Sequence, residues 1–567
     1  MISCLKDLLV PARRVSRREV GVRLTSPAGL IRRLGLPGSG PFVLLDSAGG
    51  NPDLCRYSFL AWSPRLAVTI RGGFATVRGP ETGGLDGIHG GDLIEVEVAD
   101  PFAFIRELLR ELSPGGESGD SVQKRGDSRF QAGSPEGKSF KAGGYGPLTA
   151  PVDPGISSPP VTGGAFGMLS YDAGRYIEKL PTLAADDLLL PEFDFIFPRR
   201  LICYDHWRGM AHLVFEDAAP GELEEAEGAL RRAAAERAPE APENLGRNVI
   251  DLSSTTRSNT AEDGFKQMVR RAKEYILAGD IFQSNLSQRL ELAYSGDSLD
   301  LYSSLRAINP SPFAGFLDLG GYQIISSSPE RLVQLEGRRV QTRPIAGTRR
   351  RGVDFDEDDS LRQELNLDPK ERAEHIMLVD LERNDMGRVC DYGSVRVNEL
   401  MVNEAYSHVI HIVSNVQGKL HEKMDALDLL KAMFPGGTIT GCPKVRCMEI
   451  IDELEPVRRG PYTGSFGYIG YNGNLDMNII IRTLVRIGDR LYAQAGAGIV
   501  ADSNPGREHR ETLRKAEAMV KAVELAARPV AAGAGAASAG AAGSSATGTG
   551  AGGTGAGGTG AAANGKP

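Results

Sequence analysis

Three glutamates carry the first hint of chemistry. Glu330 ends the run Ser328-Pro329-Glu330, and beyond a strand-like stretch from Leu332 to Val340 comes Arg343-Pro344-Ile345-Ala346-Gly347-Thr348. That order brings a carboxyl toward a Gly-Thr turn. Exposed amides at such a turn can hold an anion, while a partly buried carboxylic acid can donate a proton to a leaving hydroxyl. Taken alone, the same residues also fit a surface hairpin. Glu374 lies one turn into a helix that Asp368 can cap, with Pro369 at its first position and Glu371 placed to close a capping box. Glu511 falls off the apolar stripe Leu513, Ala516, Val520, Val523 and Ala527 of a C-terminal helix. Two isolated carboxylates without a His/Cys cluster suit magnesium, which takes oxygen ligands, and do not suit zinc. Read singly, each also fits a solvated helix residue.

His411 stands in Ser407-His408-Val409-Ile410-His411-Ile412-Val413, where alternation puts it on the face of Val409 and Val413. It reads as a core histidine or a cavity group. Tyr462, Arg482 and Ala495-Gly496-Ala497-Gly498 complete a set able to hold a dicarboxylate, since arginine forks a carboxylate and glycine admits close backbone approach.

These groups need elements to position them. Thr260 and Asp263 resemble a capping box ahead of Phe265, Met268, Val269, Ala272, Ile276 and Leu277 at helical spacing, until Gly279 stops the run. From Asp280 to Leu292 the pattern turns to alternation. Phe282, Leu286, Leu290 and Leu292 share one face; Gln283, Asn285, Ser287 and Arg289 share the other. The polar face reads either as a sheet edge meeting water or as an amide-rich cavity wall.

Composition bounds the rest. The 567 residues carry a net charge of −8, with 65 basic against 73 acidic side chains, so no broad cationic surface for nucleic acid or lipid is implied. The six cysteines show neither zinc spacing nor disulfide density, and no apolar run of roughly 18 residues occurs. A cytoplasmic, soluble chain is expected. The predicted organisation is an N-terminal region at 1–220 with a disordered Gly/Ser/Pro-rich insertion at about 113–160, a linker at 221–257, a motif-rich region at 258–528, and a disordered Ala/Gly-rich tail at 529–567.

Together and in this order, the segments closely resemble the chorismate-utilising enzymes, which include anthranilate, aminodeoxychorismate, isochorismate and salicylate synthases. The likeness covers nearly all of Asp263 to Ala526. It includes Leu378-Val379-Asp380-Leu381-Glu382-Arg383-Asn384-Asp385, Pro435-Gly436-Gly437-Thr438-Ile439-Thr440-Gly441-Cys442-Pro443-Lys444 and Asp452-Glu453-Leu454-Glu455-Pro456. A weaker likeness covers Leu44-Leu45-Asp46-Ser47, Arg56-Tyr57-Ser58-Phe59 and Leu169-Ser170-Tyr171-Asp172.

The resemblance implies an α+β fold of layered, mostly antiparallel sheets flanked by helices, with chorismate between layers. It implies that Glu374 and Glu511 hold Mg2+, and that Gly347, Thr348, Tyr462, Arg482, Gly496 and Gly498 surround the substrate. His411 would line the pocket, and Glu330 would help the C4 hydroxyl leave. Gln283 stands where water-adding members carry a lysine base. A neutral amide cannot deprotonate water, whereas ammonia needs only placing, so amination is expected.

Ala346 matches the anthranilate branch and also the lysine-free members of the aminodeoxychorismate branch. Asn285, Thr463-Gly464-Ser465 and Asn478 lean toward the latter. The expected reaction is therefore amination of chorismate to 4-amino-4-deoxychorismate, for 4-aminobenzoate and folate biosynthesis. The alternatives are anthranilate synthase component I and an inactive regulatory paralogue. Pro312-Phe313-Ala314 stands where the anthranilate branch typically has Pro-Tyr-Met, so Ser47 is expected to mark a vestigial tryptophan site. No Gly-x-Cys-x-Gly elbow occurs, and a separate glutamine amidotransferase is the implied ammonia source.

Overall fold

The computed structural model describes residues 5, 8, 9, 12, 14–52, 54–79, 93–114, 159–236, 256–405 and 409–527. Nearly all of the expected insertion, residues 237–255 of the expected linker and the expected tail lie outside these residues, as does His408.

Alternating patterns make an antiparallel scaffold. Every ladder pairing among the described strands is antiparallel, and helices pack on the sheet faces, which makes the fold α+β. Strands from the two halves of the chain bond to one another. Phe42–Asp46 pairs with Phe313–Asp318, and Gly164–Leu169 pairs with Ser465–Gly470 in unbroken register. The main cores lie between sheet and helix. Phe102, Ile105 and Leu108 of the Pro101–Leu112 helix bury against Phe193 and Phe195. Met519, Val520 and Val523 of the Pro505–Ala526 helix bury with Leu484, Leu491 and Ala493. Each such large side chain contributes roughly 1.5–3 kcal/mol of transfer free energy.

Several sequence expectations change. Within the span read as a linker, Glu222–Ala234 is a helix; Ala226, Ala229, Leu230 and Ala233 form a buried stripe at helical spacing in the same cluster as Leu30 and Ile31. Small side chains let that helix seat closely, which an Ala-rich composition disguises. The Glu262–Ala278 helix has no side-chain cap, because Thr260 faces the Ala261 carbonyl; Leu277 is exposed, and Gly279 ends the helix at φ +84°. Leu332 to Val340 is a hairpin, Arg331–Glu336 and Arg339–Thr342, turning at Gly337. Asp368 caps the Pro369–Gly387 helix as expected, but the Glu371 carboxylate pairs with Arg349 and closes no box.

The alternating strand runs Gln283–Ala293, leaving Phe282 exposed just before it. It is no edge. It pairs with Arg490–Ile499 along Ser284 to Ala293, with Gly441–Cys442 at its start and with Arg257–Ser258 near its end. Both faces are covered: Leu286, Leu290 and Leu292 are buried on one, and Gln283, Ser287 and Arg289 on the other. The polar face is thus an interior wall, and the water-facing reading fails because neighbouring elements cover it.

Candidate active site

The interior wall begins at Gln283. Its carbonyl accepts from Cys447 Sγ at 3.0 Å, and its neighbour in register is Cys442. Across the ladder, Asn285 faces Gly498 and Ser287 faces Gly496. The glycines are needed for space. A Cβ on Gly496 would lie 2.2 Å from Asn285 Oδ1 and 2.8 Å from the Tyr462 hydroxyl, and one on Gly498 would lie 2.6 Å from Gln283 Nε2. Three polar tips therefore converge where glycine leaves room. Gln283 Oε1 and Asn285 Oδ1 are buried and accept no hydrogen bond from the described residues. Such an orphan acceptor costs about 1–3 kcal/mol unless a ligand satisfies it.

A fully buried arginine supports this wall. Arg459 donates to the Asn285 carbonyl at 2.6 Å, to Glu455 at 2.7 Å and to Thr463 Oγ1 at 3.2 Å. Its guanidinium lies 4.8 Å from the Tyr171 ring centroid and 5.6 Å from that of Tyr462. Glu455 in turn accepts from the Ser287 amide and hydroxyl. Burial raises the Tyr462 phenol pKa, so the hydroxyl stays a neutral donor.

The second wall carries the acid. Glu330 is 6 % exposed. Burial pushes its carboxyl up to about 7, against the pull of Thr438, the Ile345 amide, Arg482 and Lys515. A carboxyl near that value can hold a proton at neutral pH and give it away. His411 is also buried, with Nδ1 3.2 Å from the Gly347 carbonyl. Burial, with the Arg482 charge adding, drives its imidazole down to about 4, so it is neutral and weakly basic. Thr348 pairs with His411 in the ladder. Gly347 has φ +54°, and a Cβ there would sit 3.1 Å from Glu371 Oε2, which demands glycine. Arg482 also has positive φ, +51°, and its carbonyl accepts from the Ser327 amide.

The acidic pair comes from two helices. Glu374 sits early in Pro369–Gly387 and Glu511 early in Pro505–Ala526. Burial raises the Glu374 carboxyl pKa, with Glu371, Asp502 and Glu508 adding and Lys370 opposing. Glu508 is likewise raised by burial, with Glu511 adding. A run of like charges therefore joins the two helix starts through Glu508. Sequence reading missed Glu508, although its position three residues before Glu511 puts it on the same helix face. Lys515, also missed, pairs with Glu511 at 2.9 Å and donates to the Gly496 carbonyl at 3.0 Å. It ties the acidic pair to the amide wall.

These oxygen donors fit a hard divalent cation that keeps water or substrate oxygens as its other ligands. Among the described residues, no three His, Cys, Asp or Glu side chains close on a common point.

Ser47 lies in a different cavity of about 430 Å³, lined also by Phe313, Ala314, Phe466 and Asn478 and by none of the groups above. Its hydroxyl donates to the Tyr57 carbonyl at 2.8 Å. Asn478 straps the rim, accepting from the Phe466 amide and donating to the Phe313 carbonyl.

An antiparallel α+β scaffold enclosing a proton donor, cationic side chains and unsatisfied amides is that of an enzyme for a small anionic molecule. The chain belongs to the chorismate-binding enzymes, whose family profile matches residues 132–521. It is 46 % identical over 428 residues to an aminodeoxychorismate synthase component 1 of Bacillus subtilis, covering 75 % of this chain and 88 % of that one. It is 48 % identical over 383 residues to an anthranilate synthase component 1 of Thermus thermophilus, covering 67 % and 82 %. The crystal structure of anthranilate synthase component I from Streptococcus pneumoniae matches with a TM-score of 0.63 at 33 % identity, covering 82 % of this chain and 92 % of that one.

Proposed function

We infer that the chain aminates chorismate to 4-amino-4-deoxychorismate, with ammonia delivered by a separate glutamine amidotransferase. The observation that carries this reading is the pair of orphan acceptors, Gln283 Oε1 and Asn285 Oδ1, in the glycine-lined space. Two buried carbonyl oxygens can hold the N–H groups of ammonia, and neither can remove a proton from water. Glu330 donates its proton to the C4 hydroxyl, which departs as water as ammonia attacks C2; a second ammonia then attacks C4 and expels the C2 amino group as ammonia, which gives the product. Arg482 and the Gly347 backbone, at a bulge in the Ile345–Arg350 strand, hold carboxylate, while Tyr462 donates to the substrate. The name of the Bacillus subtilis relative supports this branch, as do Asn285, Thr463 and Asn478. Expelling pyruvate to form anthranilate would need a base at C2, and His411 is a weak one.

Glu374 and Glu511 are the proposed ligands of Mg2+, which when bound neutralises charge on the substrate carboxylate. The relatives' name of component 1 supports a partner subunit. No described helix is long and apolar enough to cross a membrane; the cytoplasm is the proposed setting, supported by free Cys55, Cys203, Cys390, Cys442 and Cys447.

Product analysis tests the reading. Incubation with chorismate, ammonium and magnesium, followed by aminodeoxychorismate lyase, is expected to yield 4-aminobenzoate. Fluorescent anthranilate as the major product would overturn it.

A further inference from the structure

One guanidinium spans two parts of the pocket that the reading above leaves separate. Arg349 lies two residues beyond Gly347 in the Ile345–Arg350 strand, which among the described strands pairs only with Val409–Lys419. Two helices, Phe355–Leu367 and Pro369–Gly387, pack against it. Arg349 Nε lies 3.1 Å from Glu364 Oε1, Nη1 lies 3.1 Å from Glu371 Oε1, and Nη2 lies 3.2 Å from Asp368 Oδ2. Three nitrogens of one planar fork thus meet three carboxylates. Glu364 belongs to the first helix, while Asp368 is the N-cap and Glu371 the first turn of the second.

The two carboxylates of the second helix each have another task for their other oxygen. Asp368 Oδ1 accepts from the Lys370 and Glu371 amides at 3.0 and 3.3 Å, which starts the helix that carries Glu374. Glu371 Oε2 reaches the Gly347 backbone, 3.1 Å from where a Cβ there would sit, one turn before Glu374. Arg349 grips the oxygens left over. Apolar packing is thin at this place: no residue from Pro369 to Glu374 is buried, and the first anchor inward is His375, with Nε2 2.6 Å from Ser414 Oγ. Leu365, Ile410 and Ile412 form only a small cluster of their own. The neighbouring Arg350 and Arg351 serve the far end of the first helix, pairing with Glu357 and Asp358.

We propose that Arg349 is a positioning residue that couples magnesium binding to chorismate binding, by fixing the first turn of Pro369–Gly387 against the Gly347 bulge. The inference rests on the reading of Gly347 as a carboxylate seat and of Glu374 as a metal ligand. With a cation on Glu374 the turn keeps one placement, and Arg349 passes that placement to the seat. A substrate carboxylate in the seat favours the same placement and hence the cation, as linkage requires.

Without ammonium no amination occurs, so calorimetric titration of chorismate into the full-length protein, with and without magnesium chloride, reads binding alone. In the native protein magnesium is expected to tighten chorismate binding about tenfold or more, and Arg349→Met to cut that enhancement to about twofold or less. Arg349→Lys, a point charge without the fork, is expected to fall between the two. Arg350→Met also removes one positive charge, but its partner is Glu357, and it is expected to keep the native enhancement. A merely structural loss in Arg349→Met would lower the thermal midpoint and weaken both titrations by the same factor, leaving the enhancement intact. That outcome, or one in which Arg350→Met loses the enhancement equally, would overturn the coupling. No enhancement in the native protein would sink the seat and metal assignments themselves, and the coupling with them.

Discussion

Two regions of this molecule differ in what their polar groups have left to give. Around Ser47, the charges are matched within the protein: Arg331 pairs with Asp476, Arg343 with Glu399, Arg56 with Asp205, and Arg339 with Glu336. Around Gln283, amide oxygens are buried without a bonding partner, glycines hold space open, and a carboxyl keeps its proton near neutrality. Unspent hydrogen-bonding capacity distinguishes the two, because a protein that buries an unmatched polar atom gives up stability that a ligand can restore.

The largest expected effect is at the acid. Glu330→Gln should lower the amination rate by about 10⁴-fold, the upper end for a general acid, with the thermal midpoint unchanged; a mild loss would move the chemistry elsewhere. Glu511→Gln should remove magnesium-dependent turnover, by about 10³-fold if several kcal/mol of charge stabilisation disappears. Metal titration of activity would show this, and undiminished turnover would refute the ligand assignment. Gly496→Ala places a methyl against Asn285 and Tyr462, and should cost about 10²-fold in kcat/KM while leaving secondary structure by circular dichroism intact.

The pH profile sharpens the contrast further. Burial holds the Glu330 carboxyl above the ordinary carboxylate range, at about 7, so the proton-bearing form prevails below that pH and is lost above it. With free ammonia held constant across the series, kcat/KM on the alkaline side should fall about tenfold per pH unit; a plateau well into the alkaline range would exclude a carboxylic acid of this kind. The smallest effect is expected in the other cavity. Excess L-tryptophan should leave the rate unchanged and Ser47→Ala should be silent, since Ser47 already donates to the Tyr57 carbonyl. Inhibition by tryptophan would break the comparison and restore a regulatory role to that cavity.

Much of this was legible along the chain. The alternation of Leu286, Leu290 and Leu292 against Gln283, Asn285 and Ser287 specified a strand and its two faces, because strand geometry sends successive side chains to opposite sides whatever surrounds them. Asp368 and Pro369 marked a helix start, since a cap satisfies amides within its own first turn. Glu508 and Lys515 were passed over; each looks like an ordinary charged helix residue until another element arrives beside it.

Local pattern thus determined the elements, their polar faces and the residue types able to transfer a proton or hold a cation. Whether the polar face of Gln283–Ala293 met water or enclosed a cavity was decided only when Arg490–Ile499 and Gly441–Cys442 closed around it. The same holds for Glu330, whose proton affinity depends on burial among groups distant in sequence. Covalent geometry and periodicity act over a few residues, whereas desolvation and charge coupling depend on what the folded chain brings within a few ångströms.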